Sequence, residues 1–163
     1  MSAIGFHLIA RIAGERVAIS AGEIGSVIEI DALVPVPLAP STIAGLAARR
    51  SKVLTVIDPY AAFGLARPTG EGPLQAVTLE CEGHAYALLV DEVEDVVAAG
   101  TLFPSIPGAM SAGWERVAIG LVEQAGAASR NSAGSRLSGG VNPALTAASL
   151  CASPQCRGRG ARR

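Results

Sequence analysis

The 163-residue sequence predicts an all-β fold, a sandwich or barrel, and three observations carry that expectation. Val, Ile and Leu supply most of the large apolar residues, and the β-branched ones among them favour strands. Ten Pro and nineteen Gly punctuate the chain into short elements. Turn signals recur between about seven short apolar runs with little helical periodicity, the pattern of closely spaced strands.

The elements follow in order. FHLIARI and RVAIS flank Gly14, which can supply the positive φ of a tight connection, so the chain opens with a hairpin. GSVIEI, residues 25–30, reads as a third strand. In LVPVPLAPSTIAGL, Pro35, Pro37 and Pro40 exclude a central strand and predict a crossing loop. Lys52 to Ile57 resumes as a strand, and AAFGLARPTGEGP reads as a loop. LQAVTLEC, a short turn and AYALLVDEV then repeat the opening pattern, with Gly83 standing where Gly14 stood. That duplication hints at two similar halves. VEDVVAAGTLF continues as a strand, SIPGAMSAGW as a loop, and ERVAIGLVE as the last strand.

After Glu123 the texture changes. Residues 1–123 hold seven basic residues and all fourteen acidic ones; residues 124–163 hold six Arg and no acid. The second segment is rich in Ser, Ala and Gly, and its small side chains bury too little area to offset ordering entropy. The sequence therefore predicts a domain over 1–123 and a disordered tail over 124–163, with at most a helical turn near Pro143 to Leu150. No apolar run is long enough for a transmembrane helix. No signal peptide is evident, and three scattered Cys fit a reducing compartment, so a cytosolic location is expected.

Few residues suggest chemistry. Asp58, at a strand end before Pro59, reads as a turn cap. Asp91, Glu92, Glu94 and Asp95 form an acidic cluster without the glycine bend of a calcium loop, and read as a solvated edge. Cys81 and His84 bracket a hairpin turn, with no third group to orient them as nucleophile and base. His7 falls in a strand. Cys151 and Cys156 lack the second pair that a zinc site needs. The Arg-rich tail lacks interleaved aromatics for stacking on bases. No phosphate-binding glycine loop occurs. No cofactor or metal is implied.

The stretch ARRSKVLTVIDPYAAFGL, residues 48–65, carries three cations, Arg49, Arg50 and Lys52, into an apolar strand. Strand alternation would put Arg50 and Lys52 on one face. With the residues just before it, this stretch resembles the CheW family's segment of Gly-Val, Arg-Gly, a strand ending Pro-Val-Ile-Asp-Leu, then Phe-Gly. YALLVDEVEDVV is similar to the family's strand with Val-Asp-Glu-Val. SVIEI with its Pro-rich sequel resembles the Val-x-Glu-Ile stretch, and RVAIGLVE the late Gly-Val segment. The resemblance spans residues 5–123.

It implies two SH3-like five-stranded barrel subdomains sharing an apolar core. It also implies a non-enzymatic adaptor that couples chemoreceptor tips to the regulatory domain of a CheA-type histidine kinase. Arg50 and Gly45 would face the receptor, and Val27 and Glu29 the kinase; Arg49 and Lys52 would stay solvated. The sequence departs from the family pattern at Ala48, Ser51, Thr55 and Pro59-Tyr60. It also lacks an obvious last apolar strand, which would leave one barrel with an unpaired edge. Two other readings stay open: a small β-barrel enzyme using Asp58 or the Cys81/His84 pair, and a degraded family member without coupling activity.

Overall fold

The structure, a computed structural model, describes residues 5–70, 72–103, 118, 120–124 and 141–145. Among these residues, ten strands fall into two five-stranded sheets. The strands are β1 (Gly5–Ile12), β2 (Glu15–Ser20), β3 (Ile24–Ile30), β4 (Ile43–Arg49), β5 (Lys52–Ile57), β6 (Leu74–Cys81), β7 (His84–Val90), β8 (Glu92–Phe103), β9 (Gly120–Gln124) and β10 (Val141–Leu145). One four-residue helix, α1 (Pro59–Ala62), follows β5. The all-β expectation holds.

The first sheet closes into a barrel in the order β1-β2-β10-β9-β8. The second is open, in the order β3-β6-β7-β5-β4. The two are built on one plan. Each has a central hairpin, β1-β2 or β6-β7, whose second strand pairs in parallel with the last strand of the other half of its sheet: β10 on β2, β5 on β7. The other pairings are antiparallel. The strands are also exchanged. The chain leaves hairpin β1-β2 to build three strands of the open sheet, and leaves β6-β7 to build three strands of the barrel. The duplication hinted at by Gly14 and Gly83 is thus a property of the topology.

Two barrels were implied; the first sheet closes and the second stays open. Its β3 and β4 are not joined, and the far side of β4 meets a single bridge at Val34, where Val34 and Leu46 exchange backbone hydrogen bonds of 2.9 and 2.8 Å.

The two central hairpins pack back to back, which explains why their sequences are almost continuously apolar. Leu8, Ala10, Ile12, Val17 and Ile19 on one side meet Ile57, Val77, Leu79, Leu88 and Val90 on the other, in a core shared by both sheets. Alternate residues face inward to each sheet: Ile9 and Ala18 in the barrel, Ala76, Ala87 and Leu89 with Ile28, Leu54 and Val56 in the open sheet.

Three segments differ from the sequence expectation. The crossing loop was expected to include Ile43 to Leu46, but β4 begins at Ile43, because the last proline is Pro40 and nothing beyond it withholds an N–H. A helix replaces the loop after Asp58, because Asp58 caps it, with Pro59 in the first turn. Within the expected disordered tail, Val141–Leu145 form β10, and the unpaired edge expected from the family pattern is filled. That strand is recruited through its backbone, which composition does not report: β2 and β9 present edges that need partners. The expected loop over 104–113, Cys151, Cys156 and the rest of the tail lie outside the described residues.

Candidate functional site

Three two-residue hairpin turns share one backbone shape. Ala13-Gly14 (φ 50° and 82°) joins β1 to β2, and Glu82-Gly83 (51° and 78°) joins β6 to β7. Arg50-Ser51 (43° and 69°) joins β4 to β5. Positive φ at both central positions matches the twist of the flanking strands and favours Gly at the second. The third turn has Ser51 there, so it carries strain that the other two avoid.

Arg50 therefore sits at the tip of a turn and not in a strand. The expectation that Arg50 and Lys52 share a strand face is corrected: Arg49 and Lys52 are the cross-strand pair, and Arg50 projects beyond them. Arg50 and Lys52 are exposed and Arg49 is half-buried, and none of the three forms a salt bridge among the described residues. They border a groove of ≈ 610 Å³ at one end of the open sheet. Glu23, Ser26 and Glu80 form its other wall, and Leu54 and Ala85 its apolar part. A bulge in β3 between Ile24 and Ser26 shapes this wall. Thr78 Oγ1 fills the bulge, accepting from Ser26 N at 2.7 Å, and a Cβ on Gly25 would stand 2.8 Å from that oxygen.

Gly45 is buried, and its φ is +153°. A Cβ there would lie 2.6 Å from the Val34 carbonyl oxygen. The need for glycine is thus met by the close approach of the crossing segment to β4. Val27 and Glu29 are exposed on β3, at the edge of the open sheet, while the alternate residues Ile28 and Ile30 are buried. Val27 is 43% exposed, a large apolar side chain left in solvent. The crossing segment adds Val34, Val36 and Leu38 to the exposed apolar residues. Leu38 takes the third position of a turn closed by Ala39 N donating to Val36 O, with φ 62° and its side chain fully in solvent.

The residues weighed for catalysis have structural partners or none. Asp58 Oδ1 accepts from Tyr60 N at 3.0 Å, capping α1, and Arg67 binds both its oxygens at 3.0 and 3.3 Å. Cys81 and His84 stand opposite each other where β6 and β7 meet the turn, with His84 exposed and Cys81 half-buried, and no hydrogen bond between them is described. His7 Nδ1 lies 3.3 Å from the Gly5 carbonyl oxygen. In the acidic cluster, Glu92 and Asp95 are solvated as expected. Glu94 instead binds Arg16 at 2.7 Å, and Asp91 binds Gly14 and Tyr60. A bulge opposite Ile9 and Ala10 takes Glu94 out of simple strand alternation. Among the described residues no cluster of His, Cys, Asp or Glu is arranged to hold a metal.

Two strand-exchanged sheets around a shared core define the fold. A model of the CheW-like domain family matches residues 7–101. The chain belongs to the CheW-like domain family. Among solved structures, it is similar to the crystal structure of the scaffolding protein TtCheW from Thermoanaerobacter tengcongensis. The TM-score is 0.68 at 16% identity, over 86% of this chain and 88% of that one. This likeness concerns the fold. No curated protein matches the sequence.

Sequence reasoning missed the Asp58–Arg67–Tyr60–Asp91 network. Its local signal, Asp-Pro before a short apolar run, announces the cap alone; Tyr60 and Asp91 are 31 residues apart.

Proposed function

We propose that this chain is a non-enzymatic coupling protein that holds chemoreceptor tips to the regulatory domain of a CheA-type histidine kinase, in the cytosol. Membership of the CheW-like family is the observation that carries this reading. The character of the open sheet supports it: charged and apolar side chains left in solvent suit docking better than chemistry, since a reaction needs convergent polar groups in an enclosed pocket. No helix among the described residues is long and apolar enough to cross a membrane, which agrees with a protein that reaches the membrane through its partners.

Arg50 is the proposed receptor contact. At the tip of a rigid two-residue turn its guanidinium fork can meet a carboxylate or backbone carbonyls without rearranging its own sheet. Gly45 acts behind it, by letting the crossing segment lie close on β4. Val27 and Glu29 are the proposed kinase contact, an exposed apolar residue and a charge side by side on an edge strand. The mechanism is geometric: one rigid body engages two partners, and the state of one is passed on only if it binds differently in its two states.

Titration calorimetry of the full chain against a CheA-type regulatory domain, and against a receptor tip, tests the reading. Arg50→Ala should weaken receptor binding about tenfold, the cost of losing one interface anchor, and leave the melting temperature unchanged. Glu29→Lys should weaken kinase binding alone. If the folded wild-type chain binds neither partner, the coupling reading fails.

A further inference from the structure

We propose that Asp91 is the positioning residue that sets the angle between the closed barrel and the open sheet. It lies at the crossover where the chain leaves β7 of the sheet for β8 of the barrel. Its backbone N–H donates to the Arg11 carbonyl of β1 at 2.8 Å. One side-chain oxygen, Oδ2, accepts from Gly14 N at 2.9 Å, in the barrel's hairpin turn, and from Tyr60 Oη at 3.0 Å, in the helix behind β5. A single carboxylate oxygen thus takes one donor from each sheet's side of the molecule.

The donor on the sheet side is itself fixed. Tyr60 is buried, its ring in the shared core. Its backbone N–H binds the Asp58 cap, and the Arg67 guanidinium, held by Asp58, lies 5.2 Å from the ring centroid. Burial, followed by the bond to Asp91, raises the Tyr60 pKa, so the phenol stays protonated and remains a donor.

Apart from Tyr60, the buried residues of the shared core are aliphatic, with Phe63 and Tyr86 packed at its margin. Contacts between Val, Ile, Leu and Ala side chains hold surfaces together without direction, so they resist separation far more than they resist rotation. Directional bonds must supply the angle. Among the described hydrogen bonds, those that tie the β1-β2 hairpin to the crossover and to α1 all use Asp91. The fastening forms a wall of a ≈ 630 Å³ groove whose sides come from both sheets, with Arg11 and Gly14 from the barrel and Leu74, Gln75 and Val90 from the open sheet.

Residual dipolar couplings of backbone amides in the full chain test the inference without any partner, so its fate is separate from that of the coupling reading. In the wild type, one alignment tensor should fit the amides of β1-β2 and β6-β7 together. In Asp91→Ala each hairpin should still fit by itself, but no single wild-type arrangement should fit both, and Gly14 amide exchange should rise about tenfold. Asp91→Asn, whose amide oxygen still accepts, should restore the single tensor. Tyr60→Phe keeps the packed ring and the Gly14 bond. It should shift the angle with Gly14 exchange unchanged, and it decides the question if Asp91→Ala does not fold. A wild-type arrangement retained in Tyr60→Phe and in any folded Asp91→Ala would overturn the proposal, leaving Asp91 an ordinary surface carboxylate.

Discussion

In the barrel, β9 and β10 are separated by residues 125–140, and β8 hydrogen-bonds to β9 to complete the ring. In the open sheet the corresponding strands, β4 and β5, are joined by Arg50 and Ser51 alone, and β3 never reaches β4. The same plan is finished in opposite ways. One sheet has no edges and a long return; the other has a tight return and two edges. A closed ring offers no backbone to a neighbour, whereas an edge strand does unless it is guarded. The open sheet guards β4 with a strap that contains Pro35 and Pro37 and forms a β-bridge with it at Val34. It leaves Arg50, Val27 and Glu29 in solvent. The three proposed contact residues thus all lie on the sheet that was not closed.

Removing the barrel's closure should have the largest effect. A chain ending at Gln124 lacks β10 and exposes the facing edges of β2 and β9. We expect a loss of at least about 3 kcal/mol, comparable to emptying a buried core position, and a tendency to associate. Hydrogen exchange should show β1 and β2 amides losing protection first, while β6 and β7 keep theirs. Equal loss in both hairpins would mean that closure stabilises the whole molecule and not the barrel alone.

Gly45→Ala attacks the guard of the open sheet. With its Cβ 2.6 Å from the Val34 oxygen and an unfavourable φ of +153°, it should cost about 2 kcal/mol. Denaturant unfolding measures the loss, and the Leu46 amide should lose protection as the strap lifts.

Ser51→Gly sharpens the comparison by giving the third turn the residue that the other two already have. It should stabilise the chain by about 1 kcal/mol, the cost of a left-handed conformation for an ordinary residue. A melting curve checks it, and a drop in stability would mean that the serine side chain contributes a contact that outweighs its strain.

The smallest effect is on pH. The Tyr60 pKa is raised above its ordinary 10.0, by burial first and by Asp91 second. The folded state therefore holds its proton more tightly than the unfolded chain. That contribution is complete below pH 10.0 and is lost as pH climbs through the folded value. The alkaline loss of stability should be shallower in Tyr60→Phe, as measured by denaturation across that range.

Much of this was legible in the residues because it is local. Gly14 and Gly83 mark their turns through the positive φ that glycine tolerates, and both hairpins read as apolar because both faces of each are buried. What escaped depends on distant partners. β4 is short, rich in Ala and follows three prolines, and only pairing with β5 makes it a strand. β10 has little apolar signal and exists where two edges leave a gap. Arg50 was visible as a charge but misplaced by alternation, because a turn built without glycine does not announce itself. Asp91 read as one acid among four; its bonds reach 31 and 77 residues back along the chain.

The strand exchange has a consequence for synthesis. Hairpin β1-β2 is made first, yet its neighbour β8 begins only at Glu92 and its other neighbour, β10, at Val141. At ~5–20 residues per second, the ribosome takes roughly 4–14 s to pass from Ser20 to Glu92. During that interval the first hairpin has no lateral partner from its own sheet, and its apolar faces have little to cover them. Arg11, Glu15 and Arg16, charged and clustered at its turn, stand where charges that oppose association of an early hairpin are expected.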